Sequence, residues 1–149
     1  MFLLAAMLAA SIPAVEQAAI FKAAGFTQAA GKWRTDCDQP DSGSYEPGAI
    51  ETYRDLNGDG RPEAVVTEGS TFCYGNTGTG FRLLSKAADG RWTVLHQSEG
   101  MAEFLKTRGA DQMPDMSVGG PGFCFPVLRW NGKSYERVRF EYEGKPCKP

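Results

Sequence analysis

The feature that most constrains this chain is a nine-residue stretch, residues 55–63, that leads directly into an apolar, β-branched segment. Side-chain oxygens recur at alternate positions, on Asp55, Asn57 and Asp59, and a further carboxylate follows at Glu63. A glycine occupies the sixth position, where such a loop must turn sharply. Calcium takes roughly six to eight oxygen ligands from carboxylates, carbonyls and water. The sequence therefore predicts a calcium-binding loop that ends in a strand.

The EF-hand differs from this loop in two respects. Its twelfth position carries a bidentate glutamate and its flanks are helices, whereas Val66 is the twelfth residue here. The residues after Glu63 are apolar and β-branched, which favours a strand. The pattern D-x-N-x-D-G-x-x-E before a strand instead resembles the FG-GAP or VCBS repeat, the calcium-loop-bearing blade unit of integrin-type β-propellers. The resemblance is specific over residues 55–66.

That resemblance implies a set of five ligands for one calcium ion. They are the side chains of Asp55, Asn57, Asp59 and Glu63 and the backbone carbonyl of Arg61. The alternative is an acidic surface turn without a metal, because Asn-Gly and Asp-Gly are strong turn dipeptides by themselves. A bare turn has no need of four side-chain oxygens in phase, so we favour the bound ion.

Residues 1–14 carry no charged side chain and contain a short apolar core. A membrane-spanning helix needs about 20 apolar residues, and Glu16 ends this run earlier. The segment is typical of a signal peptide that lacks the usual basic residues, and we expect cleavage after Ala14. The alternative is a buried N-terminal helix of the mature domain. We therefore expect a periplasmic or secreted protein.

The remaining chain, residues 15–149, is long enough for one domain with its own core and too short for a full propeller. Its 16 Lys and Arg nearly balance its 18 Asp and Glu, and no basic run is present. Nucleic acid and anionic membranes are therefore not expected as partners.

Four cysteines occur in the chain, and none belongs to a C-x-x-C pair. In an exported protein of this size they predict two disulfides rather than a zinc or redox site. Three pairings are possible. We favour Cys37 with Cys73 and Cys124 with Cys147, because each bridge would close one half of the chain.

An internal repeat organises the predicted domain. Residues 62–73 and 114–124 each run from a proline and an acidic residue through an apolar segment to glycine and cysteine. Each half then has a hairpin signal, Asp89-Gly90 or Asn131-Gly132. We expect a mainly β fold of two related antiparallel units with short helices.

The predicted segments follow in chain order. The first is a helix at 15–24 that stops at Gly25, followed by an irregular loop at 27–48 that a disulfide holds in place. The first unit is predicted at 49–97 and begins with a strand at 49–54. A helix at 98–106 that buries Met101, Phe104 and Leu105 then opens the second unit, within 98–149.

The second unit has its own counterpart of the loop at residues 107–115. Only Asp111 and Asp115 keep their carboxylates there, and Gln112 replaces the glycine at the sixth position. We therefore expect this copy to have lost its metal, which leaves one calcium per chain.

No catalytic constellation stands out in the sequence. His96 is the only histidine, and it follows a predicted strand, where a histidine is usually a surface residue. No G-x-S-x-G or cysteine-nucleophile motif occurs.

The glycine-rich residues 69–81 lack the phosphate-loop pattern. A groove for a glycan or peptide is the remaining interpretation of these joints, with five candidate residues: Tyr74, Asn76, Thr77, Phe123 and Phe125.

The sequence thus favours an exported, non-enzymatic calcium-binding module that serves as a binding or structural protein. The first alternative is an inhibitor or immunity-type protein of a secreted or cell-wall enzyme. The second is a hydrolase that uses carboxylates outside the loop, because their separation is a three-dimensional property.

Overall fold

Antiparallel strands make up most of the computed structural model, which describes residues 11–40 and 44–149. In chain order the helices and strands are α1 (Ala14–Ala23), β1 (Thr27–Ala29), β2 (Lys32–Arg34), β3 (Tyr45–Arg54), β4 (Glu63–Ser70), α2 (Thr71–Tyr74), β5 (Thr79–Lys86), β6 (Trp92–Glu99), β7 (Met101–Arg108), β8 (Pro114–Gly119), β9 (Phe125–Trp130), β10 (Tyr135–Tyr142) and β11 (Lys145–Pro146). The predicted mainly β fold with short helices is confirmed.

The strands form two main sheets and one small hairpin. The first sheet has the order β3–β4–β5–β6, and the second has the order β11–β10–β9–β8–β7. All pairings in both sheets are antiparallel, and β1 pairs with β2 separately. Each sheet is therefore built from one continuous half of the chain.

The first sheet is buried on both of its faces. On one face, α1 and the β1–β2 hairpin form a cluster that includes Ala64 and Val66 of β4. On the other face, the second sheet packs against a cluster that includes Val65 and Leu83. Successive side chains of a strand point to opposite faces. The nearly continuous apolar run after the loop therefore serves two cores at once.

The N-terminal helix matches its prediction closely. Gly25 has φ +90° and donates to the Lys22 carbonyl, and Phe26 donates to the Phe21 carbonyl. The rings of Phe21 and Phe26 then meet edge to face at 5.7 Å. This is the Schellman ending that a left-handed glycine permits. Ile20 at 0% exposure completes the face that the helix presents to the first sheet.

Both favoured disulfides are present. Cys37 bonds Cys73, and Cys124 bonds Cys147. The first joins the segment after β2 to α2, and the second joins the segment before β9 to the end of the chain. Each sheet therefore carries one covalent link within its own half of the molecule.

The helix predicted at residues 98–106 is wrong. Glu99 ends β6 and Met101 begins β7, with Gly100 between them at φ +107°. Phe104 packs against the core between the sheets, whereas Met101 is 62% exposed. The apolar residues at 101, 104 and 105 match helical spacing by chance, because pairing with β8 decides the conformation.

The segment predicted as an irregular loop, residues 27–48, contains β1, β2 and the start of β3. The strand predicted at 49–54 begins at Tyr45 instead. A register shift between Glu46 and Ala49 takes up the intervening proline and glycine without breaking the pairing with β4. Gly48 is required there, because a Cβ atom would lie 2.7 Å from the Phe26 ring.

Most of the predicted signal peptide, residues 1–10, lies outside the described residues. Residues 11–13 precede α1 without regular structure. Within the described ranges, no helix has the length and apolarity to cross a bilayer.

Candidate metal centre

The loop between β3 and β4 wraps its backbone amides around the first predicted ligand. Asp55 accepts hydrogen bonds from the amide of Gly58 at 2.8 Å on one oxygen and from the amide of Gly60 at 2.8 Å on the other. The amide of Asn57 adds a longer bond of 3.2 Å. Gly58 and Gly60 have φ values of +78° and +83°, which side chains rarely adopt. The two glycines therefore allow the backbone to turn tightly around the Asp55 carboxylate.

Two further oxygen-bearing side chains follow along the wrap. The Asn57 side-chain oxygen accepts from the Asp59 amide at 3.4 Å. Asp59 accepts from the Arg61 amide at 2.8 Å on one oxygen, and its other oxygen lies 3.0 Å from the Arg61 guanidinium. Arg61 is also anchored by a bond from its Nε to the Lys86 carbonyl. Both residues of the ion pair are partly solvent-exposed, so this pair contributes little energy of its own.

Glu63 is the last residue of the loop and lies beneath it in the protein interior. It is the first residue of β4, and its exposed fraction is 0%. One carboxylate oxygen accepts from the Leu56 amide at 2.8 Å, and the other from the Ser85 hydroxyl at 3.4 Å. Leu56 is itself buried in the core between the sheets. The loop is therefore anchored by an apolar side chain at its second position and a buried carboxylate at its ninth.

The three carboxylates converge on one point. Oxygen atoms of Asp55, Asp59 and Glu63 all lie within 4.8 Å of one another. Calcium binds oxygens at about 2.3–2.6 Å, so two ligands of one ion are separated by at most about 5 Å. The three carboxylates are therefore close enough together to bind one metal ion. Asn57 and Arg61, the other two predicted ligand residues, lie on the same wrap.

The pKa values of these carboxylates shift in opposite directions. Hydrogen bonds from the amides of Gly60, Gly58 and Asn57 lower the pKa of Asp55. Burial raises the pKa of Glu63, and the nearby negative charges of Asp59 and Asp55 add to that rise. A cation at the point of convergence would reverse the effect on Glu63, because an opposite charge favours the ionised form.

The counterpart of Glu63 in the second unit has a different environment. Asp115, also 0% exposed, accepts from the Arg129 side chain at 2.8 and 3.0 Å and from Arg139 at 3.2 Å. The Thr107 hydroxyl donates to the same carboxylate. Burial alone would raise the pKa of Asp115, but the bonds from Arg129, Thr107 and Arg139 outweigh it and lower the pKa. Arginine thus supplies the positive charge in this copy of the loop.

Contacts also join the two loops across the sheet interface. One terminal nitrogen of Arg108 donates to the Leu56 carbonyl at 2.9 Å and to the Gln112 carbonyl at 2.6 Å. The Asn57 amide group donates to the Asp111 carbonyl at 3.3 Å. That bond uses the nitrogen of Asn57 and directs its oxygen away from Asp111. Between the loops lies a cavity of about 570 Å³ lined by residues of both, including Asp59, Asp111 and Trp130.

The five residues predicted to form a groove differ in their positions and contacts. The Tyr74 hydroxyl donates to buried Glu68 at 2.7 Å, and Asn76 and Thr77 lie in a short 3₁₀ turn. Phe125 lines two cavities beside the second sheet, and Phe123 is 71% exposed nearby.

Some residues that matter to the two loops carry no sequence signal. Ser85, Arg129 and Arg139 contact the loops from other strands, and nothing in their local sequence indicates it. A comparison of the two halves position by position would have flagged only Arg108, which replaces apolar Leu56 at the second position of the loop.

Comparison of the chain with protein-family models, with curated proteins and with solved structures found no match.

Proposed function

We propose that this protein is an exported, non-enzymatic calcium-binding module in which residues 55–63 hold one ion. Asp55, Asn57, Asp59 and Glu63 would supply side-chain oxygens, and Arg61 would supply its backbone carbonyl. The ion would contribute structure rather than chemistry, because it would join the wrapped loop to the first residue of the central strand β4. The binding or structural role of the module would then depend on the shape that calcium stabilises.

The observation that carries this proposal is the missing countercharge at Glu63. Its carboxylate is fully buried and, among the described residues, no lysine or arginine pairs with it. The equivalent Asp115 has Arg129 and Arg139. A buried carboxylate without a cation is costly, so such groups are normally paired or bound to a metal. Convergence with Asp55 and Asp59 favours a divalent ion with oxygen ligands.

Two observations support the exported location. Both disulfides belong to the class of bond that persists in oxidising compartments such as the periplasm and the extracellular space. The uncharged apolar segment at residues 1–14 is typical of a signal peptide.

The test compares calcium binding by the wild type and two matched variants, Asp55→Ala and Asp111→Ala. Titration calorimetry and melting curves in calcium and in EDTA are measured for each. We expect the wild type to bind one calcium and to melt at a higher temperature in calcium than in EDTA. Asp55→Ala is expected to weaken binding by at least about tenfold, since calcium affinity follows the number of charged ligands.

Asp111→Ala serves as the control, because it removes a carboxylate from the second loop. It also removes the acceptor of the Trp130 indole bond, so its melting temperature can fall in both buffers. The difference between calcium and EDTA is expected to remain that of the wild type. Equal melting of the wild type in both buffers, without heat of binding, would refute the proposal.

A further inference from the structure

The two sheets differ in how their outer faces are covered. The first sheet lies between the second sheet and the layer formed by α1 and the β1–β2 hairpin. Among the described residues, no element forms a comparable layer on the far side of the second sheet. Met116, Phe104 and Leu128 point into the core, so the alternate positions Glu103, Ser117 and Phe125 belong to the outer face.

Exposed aromatic residues occupy one end of this outer face. Phe123 is 71% exposed, and Tyr142 is 41% exposed. Their rings meet at 6.4 Å, and the ring of Phe125 lies 6.1 Å from that of Tyr142. The disulfide partner Cys124 lies between the two phenylalanines, so its bond to Cys147 holds them in place. Rigid, clustered aromatic side chains at a surface are typical of a binding site.

A groove runs beside these rings and is lined by carboxylates. It consists of two adjacent cavities of about 440 and 350 Å³ that share Glu103, Ser117 and Phe125. Glu51, Glu141 and Glu143 also line it, and no lysine or arginine is among the lining residues. Of these four glutamates, only Glu141 has an ion pair among the described residues, with Arg139. The groove is therefore both apolar and negatively charged.

We propose that this groove binds an extended, lysine- or arginine-bearing segment of a partner protein. Alternating side chains of an extended segment would place cations beside Glu103 and Glu143 and apolar groups beside Phe125 and Tyr142. Charge complementarity of this kind selects the partner and speeds association.

Two other occupants fit the groove less well. A neutral glycan could donate hydroxyl hydrogen bonds to the glutamates but would leave their charge uncompensated, and the aromatic rings meet at interplanar angles of 81° and 61° rather than forming a flat platform for a sugar. A second copy of the chain would bring two sets of glutamates together, which is unfavourable. The cationic segment is the occupant that uses both the rings and the charges.

The test measures fluorescence anisotropy of a labelled synthetic peptide that alternates lysine with leucine, and of its glutamate–leucine counterpart. Both titrations are done in EDTA, which separates the result from calcium binding at residues 55–63. We expect the lysine peptide alone to bind, with affinity that falls as salt rises. The double variant Glu103→Gln/Glu143→Gln and the single variant Phe123→Ser are each expected to weaken binding by about tenfold.

Asp89→Asn is the matched control, because it removes one exposed carboxylate from the hairpin of the first sheet. It is expected to bind the lysine peptide as the wild type does. Equal binding of both peptides, or equal binding by all variants, would overturn the proposal. So would salt-independent binding to a glycan array that Phe123→Ser abolishes, or dimerisation in sedimentation that the same variant abolishes.

Discussion

Two buried carboxylates at equivalent positions of the two units have different partners. Glu63 is the first residue of β4, and Asp115 is the second residue of β8. Both side chains are 0% exposed. Asp115 is paired with arginine, whereas the partners of Glu63 in residues 11–40 and 44–149 are an amide and a hydroxyl. The difference lies in the neighbouring strand, where Ser85 faces Glu63 and Arg129 contacts Asp115.

Replacement of Glu63 by glutamine is expected to change stability in opposite directions in EDTA and in calcium. In EDTA, Glu63→Gln should stabilise by about 1 kcal/mol, because it removes an unpaired buried charge, its amide oxygen still accepts from the Leu56 amide, and its NH2 group donates to the Ser85 hydroxyl. In calcium, the variant should be less stable than the wild type, because it loses an anionic ligand. Urea unfolding in each buffer measures both values. Asp115→Asn is the control and should destabilise in both buffers, and a Glu63→Gln variant that behaves the same way would contradict the assignment.

His96 differs from the surface residue expected from sequence. It is half-buried between the rings of Phe81 and Tyr135, each at 6.0 Å, and its Nε2 is buried without a hydrogen-bond partner among the described residues. Burial lowers the pKa of His96. Protonation of His96 therefore destabilises the folded state.

This environment predicts a pH dependence of stability. The pKa of His96 is lower in the folded than in the unfolded state. The contribution of neutral His96 to the free energy of unfolding is therefore complete above pH ~6.5 and is lost as the pH falls towards the folded pKa. His96→Leu should be less sensitive to acid between pH 7.5 and 5.5 than the wild type. Urea unfolding in EDTA at both pH values measures the difference. Parallel loss of stability in both proteins would show that another group is responsible.

At the scale of the strands, the two sheets share a register irregularity. The pairing of β5 with β6 shifts between Leu83 and Leu84, and the pairing of β9 with β10 shifts between Arg137 and Arg139. In each sheet the extra residue, Leu95 in β6 or Val138 in β10, lies in the strand that follows the Asp89-Gly90 or Asn131-Gly132 turn. The sixth loop position also has positive φ in both, at Gly60 and at Gln112. These matches support the inferred relation between the two units.

Arg108 connects the two loops, so a change there should affect the loop at residues 55–63 from the other sheet. Arg108→Met removes the donor to both carbonyls, and the Leu56 carbonyl would lose its support. We expect calcium affinity to fall by about tenfold, as for other residues that orient ligands. Titration calorimetry measures this change. Arg91→Met, in an exposed hairpin, should leave affinity unchanged, and identical affinities for both variants would exclude the coupling.

At the scale of the whole molecule, each half carries its own covalent link. Cys37–Cys73 spans 36 residues and connects the outer layer to the first sheet, and Cys124–Cys147 spans 23 residues within the second half. Such links stabilise mainly by restricting the unfolded chain. The arrangement holds the irregular segment around residues 35–40 against a sheet that it does not join.

Loss of the first link is expected to cost about 3 to 4 kcal/mol, from the length of the closed loop. The double variant Cys37→Ser/Cys73→Ser should therefore unfold at lower guanidinium chloride concentration, while its calcium affinity stays near the wild-type value because residues 55–63 lie elsewhere. Guanidinium chloride unfolding and calorimetry measure the two quantities. A large loss of calcium affinity would show that the outer layer supports the loop.

Local chemistry was sufficient for some features. The left-handed Gly25 ends α1, Asp-Gly and Asn-Gly make the hairpin turns, and a continuous apolar, β-branched run forms β4, because backbone sterics and burial act over a few residues. The disulfide pairing also followed from the division of the chain into halves. The sequence likewise indicated a loop at residues 55–63 with side-chain oxygens at alternate positions, and the carboxylates of Asp55, Asp59 and Glu63 lie within 4.8 Å of one another.

Tertiary structure alone decided the rest. Residues 101–108 form a strand because β8 pairs with them, and the same apolar spacing would suit a helix without that partner. Burial of Glu63, pairing of Asp115 with Arg129, and the position of Arg108 all depend on side chains that are distant in the chain. Charge compensation in a core is a property of neighbours in space, and a single sequence does not specify those neighbours.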